Sequence, residues 1–204
     1  MLGSHRGGTS LTCQVLEALG VDFGHGLAGP SRSNPCGFYE NLKMRQVLKR
    51  WLGKLGVDAL GQWPQMERDW WPTEYQATKF AADMRAALGS AEAQKDPKML
   101  ALWPLAHVAF PDARWLIVRR DAEQIARSCA RTSFMLRLGT EKAWKGWAEE
   151  QHRRLDDAMR ETGGAEVWPD ATDPASFRPV EALGIAFDTD RVASVLRPEL
   201  WGAA

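Results

Sequence analysis

The chain has 204 residues, 45% of them hydrophobic and 25% charged, with 26 Lys and Arg against 26 Asp and Glu. That is enough for one well-covered core and too little for two, so residues 1–204 are expected to form a single domain. The balanced charge argues against a global basic field for nucleic acid while leaving a local basic pocket open, and no apolar run approaches the roughly 18 residues of a membrane span.

Taken in chain order, the first element is a loop, Gly3-Ser4-His5-Arg6-Gly7-Gly8-Thr9-Ser10. Leu11, Val15, Leu16 and Leu19 follow at helical spacing and predict a helix over 9–19 that Gly20 ends. Residues 30–37 are turn-rich, with Pro30, Ser31, Ser33, Asn34, Pro35 and Gly37. Met44, Leu48, Trp51, Leu52 and Leu55 mark a second amphipathic helix ending near Gly56. Over 61–73 the pattern dissolves into Trp and Pro, which reads as a substrate-side insertion or a packed loop. Helices are expected over 75–88, ended by Gly89, and over 100–109 despite Pro104. The best strand is 113–119, A-R-W-L-I-V-R, after the turn signal Phe110-Pro111-Asp112. A helix over 123–133, a long charged helix over 141–160, a short strand at 166–168 and closing helices over 174–183 and 190–196 complete the chain. Strands alternating with helices imply an α/β fold with a mostly parallel central sheet covered on both faces. Ten tryptophans run from Trp51 to Trp201, some for the core and some for a groove.

The opening loop carries the chemistry. Its G-x-x-x-x-G spacing lets several backbone N–H groups converge on one anion. The helix behind it aims its positive end at the same point, and Thr9 and Ser10 add hydroxyl donors. A nucleotide triphosphatase loop of this type needs Lys after the second glycine. Here that position is Thr9, and the loop's cation is Arg6. The composition therefore favours a grip on a phosphate bearing a transferable group. A P-loop kinase or hydrolase remains the main alternative, and it would need a magnesium-binding acid at a strand end; Asp112 and Asp121 lie beside the best strand rather than at the end of a clear hydrophobic run. A non-enzymatic, nucleotide-binding relic of the fold is the other.

Cys13, Cys36 and Cys129 form no C-x-x-C pair and the four His are scattered, so neither a disulfide framework nor a metal site is expected. Glycines and polar residues begin at position 3, unlike a signal peptide, and the expectation is a cytoplasmic protein.

Several segments together resemble the bacterial branch of the 3′-phosphoadenylyl-sulfate-dependent sulfotransferases. H-R-G-G-T-S at 5–10 is similar to that family's 5′-phosphosulfate loop, with Arg6 as its basic residue. R-R-D-A-E-Q-I-A-R-S-C at 119–129 is similar to its 3′-phosphate motif, with Arg120 at the strand end and Ser128 eight positions on; Ala122 stands where the family usually has Pro. K-D-P-K at 95–98 resembles its middle strand and exit, and G-F-Y-E-N at 37–41 a segment that brings an acid near the acceptor. V-W-P-D-A-T-D-P, E-A-L-G-I-A-F-D and R-P-E-L resemble its last strand and closing helices. The family has a full strand before the loop, whereas Met1 and Leu2 precede Gly3 here.

The resemblance implies a three-layer P-loop-like fold and a sulfotransferase. The donor would be 3′-phosphoadenylyl sulfate (PAPS) and the product adenosine 3′,5′-bisphosphate (PAP), with no metal. Ser4, His5, Arg6, Gly7, Gly8, Thr9 and Ser10 would hold the phosphosulfate, and Arg120 and Ser128 the 3′-phosphate. Arg6 would stabilise developing charge, and Lys95 would assist the leaving group or simply pair with an acid. Glu40 is the first candidate for the general base, with Asp96, His5 and His25 as competitors. The acceptor would be a hydroxyl or amine on a small molecule or glycan, with no nucleic-acid or membrane partner.

Overall fold

The computed structural model describes residues 1–32, 34–135 and 137–200; Ser33 of the predicted turn and Trp201 lie outside the described residues. Three short strands form a parallel sheet in the order β1 (Leu2–Gly3), β2 (Leu116–Val118), β3 (Ala165–Val167). Leu2 sits opposite Ile117, and Val118 opposite Val167. Because side chains alternate across a strand, β2 feeds two cores. Ile117, with Leu2, joins a cluster built from α2 (Leu42–Lys54), α3 (Glu74–Leu88) and α4 (Trp103–Ala109). Leu116 and Val118 face the opposite layer, where Cys13 and Leu16 of α1 (Thr9–Ala18) meet Val167 and Val180. Helices thus cover both faces, and the expected three-layer α/β architecture is present.

Beyond the sheet, α5 (Ala122–Arg131) packs along α6 (Glu141–Thr162) through Ile125, Ala126, Cys129, Trp144, Trp147 and Ala148. Val192 of α7 (Thr189–Val195) closes over Val15 of α1 together with Phe177. None of the described helices is long and apolar enough to cross a membrane.

Three expectations change in detail. The strand over 113–119 contracts to Leu116–Val118 because its neighbours are two and three residues long, and a ladder extends only where a partner strand does. The helix over 100–109 divides into a 3-10 segment, Pro97–Leu102, and α4, with Pro104 in the first turn of α4, where its missing N–H is harmless. The closing helix Pro174–Leu183 is 3-10 throughout, with Pro179 inside it withholding a backbone donor.

The resemblance of K-D-P-K to a middle strand is corrected as well. Residues 95–96 run outside the hydrogen-bonded ladder: Asp96 is extended (φ −153°, ψ 130°), Pro97 has no N–H, and the Asp96 carboxylate accepts the Lys98 N–H to start the 3-10 segment. The run still lies beside β1, where the Met1 ammonium donates to the Gln94 carbonyl at 3.1 Å.

Candidate functional site

At the end of β1 the chain turns back on itself, with the Gly7 N–H donating to the Ser4 carbonyl at 3.1 Å. Arg6 and Gly8 both adopt positive φ, 62° and 87°. This left-handed geometry turns successive amides toward one side, and Gly8 reaches it without the Cβ strain that Arg6 bears. Gly8 is also the N-cap of α1, which has no side-chain cap. Side chains of Asn41, Thr73, Asp121, Thr140 and Asp188 cap α2, α3, α5, α6 and α7. The first amides of α1 are therefore left for an external acceptor.

The segment after β2 comes to meet this loop. Arg6 Nε donates to Ser128 Oγ at 2.7 Å, across 122 residues of sequence. Arg120 Nη1 donates to the Arg6 carbonyl at 3.2 Å, and its Nε to Gln124 Oε1 at 3.1 Å. Arg120 is aimed by its neighbours. Asp121 caps α5 through the Glu123 and Gln124 amides, each at 3.0 Å, and His152 Nε2 of α6 lies 3.0 Å from the Arg120 carbonyl oxygen. Arg119 points away, pairing with Glu166 and Asp156 at 2.7 Å each. Burial pushes the Arg6 guanidinium down from its ordinary pKa. Burial, then Arg6 and Arg127, push Arg120 down to about 10. Burial disfavours the charge on both guanidinium groups and Arg6 further disfavours that on Arg120, effects that a bound anion opposes.

A second charged group sits on the other side of the loop. Lys95 Nζ donates to the Phe38 carbonyl at 2.9 Å, to Glu40 Oε1 at 3.2 Å and to Ser10 Oγ at 3.4 Å. Ser10 Oγ also accepts from Asn34 Nδ2 at 3.0 Å. Glu40 pairs with Arg45 at 2.7 Å and has Lys98 Nζ at 3.9 Å, while Lys98 holds Asp96 at 2.7 Å. Burial alone would raise the Glu40 pKa, but Lys95, Lys98 and Arg45 outweigh it and bring it down to about 2. Asp96 goes the other way, raised by burial against the pull of Lys98. His5 is pushed down to about 3, by burial and then by Lys98, so its imidazole is neutral at pH 7. Its ring stands 6.2 Å from that of Trp147.

These groups line one cleft of about 1010 Å³. His5, Arg6, Gly8, Thr9, Ser10, Glu40, Lys95, Arg120 and Ser128 all face it, while Ser4 and Gly7 are not among its lining residues. His25 is exposed and away from the cleft; its carbonyl accepts from Asn41 Nδ2, the cap of α2. Among the described residues the lining holds nine arginines and lysines and a single acid, Glu40, in a chain of zero net charge. A sulfotransferase domain model matches residues 1–173. The chain belongs to this sulfotransferase family. No curated protein and no solved structure matches it.

Sequence reasoning passed over several residues of this sulfotransferase's cleft. Lys98 sat unassigned inside K-D-P-K, and Arg45, five residues after Glu40, carried no local signal. Gln62 and Leu60 are wall residues, so the irregular segment begins in the cleft, and further along Met66 and Trp70 pack on the core. Phe134 faces Phe38 edge-on at 6.3 Å. Of the two acids that flank β2, Asp112 is exposed and Asp121 caps α5.

Proposed function

We propose that this sulfotransferase moves a sulfuryl group from PAPS to a hydroxyl or amine of a small-molecule or glycan acceptor, in the cytoplasm. The observation that carries the reading is the meeting of Arg6, Ser128 and Arg120 at 2.7 and 3.2 Å beside an uncapped helix. It gives one cleft two adjoining anion sites, as a doubly phosphorylated nucleotide needs. The orphan amides of α1 and the crowded guanidiniums fit such a ligand. Bound PAPS supplies a sulfuryl group whose bond to the bridging phosphate oxygen breaks as the acceptor atom bonds to sulfur.

Arg120 and Ser128 hold the 3′-phosphate. The loop amides, Arg6, Ser10 and Lys95 hold the phosphosulfate and stabilise the charge that collects on the departing phosphate. Arg6 offers a planar fork suited to phosphate oxygens, and Lys95 a point charge. Glu40 orients Lys95 through their 3.2 Å contact. As the acceptor's base, a carboxylate with a pKa of about 2 binds a proton weakly. A base role therefore requires the donor's anions to draw Lys95 and Lys98 away from Glu40 first. Three free cysteines fit a reducing compartment.

The deciding experiment is a thermal-shift comparison of PAP with ATP, GTP and AMP. At 100 times its Kd, PAP should stabilise the protein by about 2.7 kcal/mol, a rise of about 5–10 °C for a chain this size. Arg120→Ala should remove most of the preference for PAP over AMP. A larger shift with ATP, or a variant that keeps the preference, overturns the reading. PAP binding without sulfate transfer to any acceptor would identify a nucleotide-binding relic instead.

A further inference from the structure

The contacts run in a line. Arg120 touches Arg6, the Arg6 loop continues to Ser10, Ser10 touches Lys95, Lys95 touches Glu40, and Glu40 touches Arg45. Lys49 follows Arg45 by four residues on α2, so the two share a helix face, and both line the cleft. On the reading above, the 3′-phosphate takes the Arg120 end and the phosphosulfate takes the loop and Lys95. The α2 cations lie beyond both.

Two observations mark that end as unsatisfied. Lys49 is half-buried and has no hydrogen-bond or ion-pair partner among the described residues. Arg45 gives Nη2 to Glu40 at 2.7 Å, but its Nε is buried with no acceptor. Glu40 cannot neutralise the group, because it is already shared among Arg45, Lys95 and Lys98. A partly desolvated cluster with surplus positive charge and an orphan guanidinium N–H favours an anionic oxygen ligand.

We propose that Arg45 and Lys49 form an anion subsite that holds a carboxylate or sulfate group carried by the acceptor. The acceptor of this sulfotransferase is then an acidic molecule, anchored on α2 while its nucleophile lies toward Lys95. This deepens the reading of the cleft as a PAPS site and rests on it for the identity of the donor.

The test uses the whole protein saturated with PAP. Sodium sulfate and sodium acetate are titrated separately at constant ionic strength balanced with chloride, and binding is read from the melting temperature. Wild type should gain stability beyond the chloride control. A response to sulfate that the Lys49 variants lose points to a sulfated acceptor, and a response to acetate that they lose to a carboxylated one. Lys49→Gln should weaken that binding about tenfold, and Lys49→Glu should abolish it, as expected for loss of a charge-assisted contact. The affinity for PAP should stay within about twofold in both variants, because the 3′-phosphate and phosphosulfate contacts are elsewhere. The proposal is overturned if neither anion acts on wild type, or if the Lys49 variants bind the anion as wild type does. Should PAP itself not bind, the donor reading fails, and the same anion titration without nucleotide still decides the Lys49 site.

Discussion

Arg6 is held in a left-handed backbone conformation, φ 62°, which costs a residue with a Cβ about 1–2 kcal/mol. Its side chain reaches Ser128, and its carbonyl accepts from Arg120. One strained residue thereby joins the loop to the start of α5. Arg6→Ala should cost about 2–4 kcal/mol in transition-state stabilisation, roughly 30- to 10³-fold in kcat/KM, measured by initial rates with PAPS; an unchanged rate would remove Arg6 from the mechanism. His5 governs a different observable. Its pKa falls from an ordinary 6.5 to about 3 in the fold. Above pH 6.5 both folded and unfolded forms are neutral. As pH drops from 6.5 toward 3, the unfolded chain takes up a proton that the fold refuses, so stability declines. Glu40, lowered from 4.5 to about 2, adds its own loss only between those values. His5→Gln should flatten the urea-measured stability between pH 6.5 and 4.5, and equal slopes in the two proteins would contradict the assignment. Arg6, Arg120 and Ser128 were legible because their spacing within motifs carries meaning. Lys98 and Arg45 were not, because their roles arise only when α2 and the Asp96 turn fold against Glu40.

Among the described glycines, Gly3 at the end of β1 has the closest neighbours. A Cβ on Gly3 would stand 2.4 Å from Thr9 Cγ2 and 3.1 Å from the Val118 carbonyl oxygen. Gly3→Ala must therefore push the start of α1 off β2, and should cost about 1–3 kcal/mol, read as a lower urea midpoint with the slope unchanged. A variant as stable as wild type would show that the loop can shift freely. Helices with strong apolar periodicity were legible almost to the residue: α1, α2, α3 and α6 begin or end within two positions of expectation. Strand lengths were not, since three residues of β2 pair because β3 offers three. Nor was the 3-10 character of Pro97–Leu102 and Pro174–Leu183, where proline chemistry and local capping outweigh the helical pattern.

At the scale of the whole molecule, zero net charge conceals a cleft whose described lining carries nine cations and one acid. No composition count could reveal it, because the opposing acids lie outside that lining. Salt should act on this cleft. Raising ionic strength from about 0.05 M to 0.5 M shortens the screening length from about 14 Å to 4 Å, and KM for PAPS should rise while kcat changes little. A salt-independent KM would mean that the lining charges do not attract the donor. The walls themselves are tied together. Trp147 of α6 donates to the Gln62 carbonyl at 2.9 Å, and Gln62 Nε2 donates to the Phe134 carbonyl at 2.9 Å. Those bonds tie the irregular segment to α6 and to the residues that follow α5. A molecule entering the cleft therefore meets walls that the chain's own contacts join to one another.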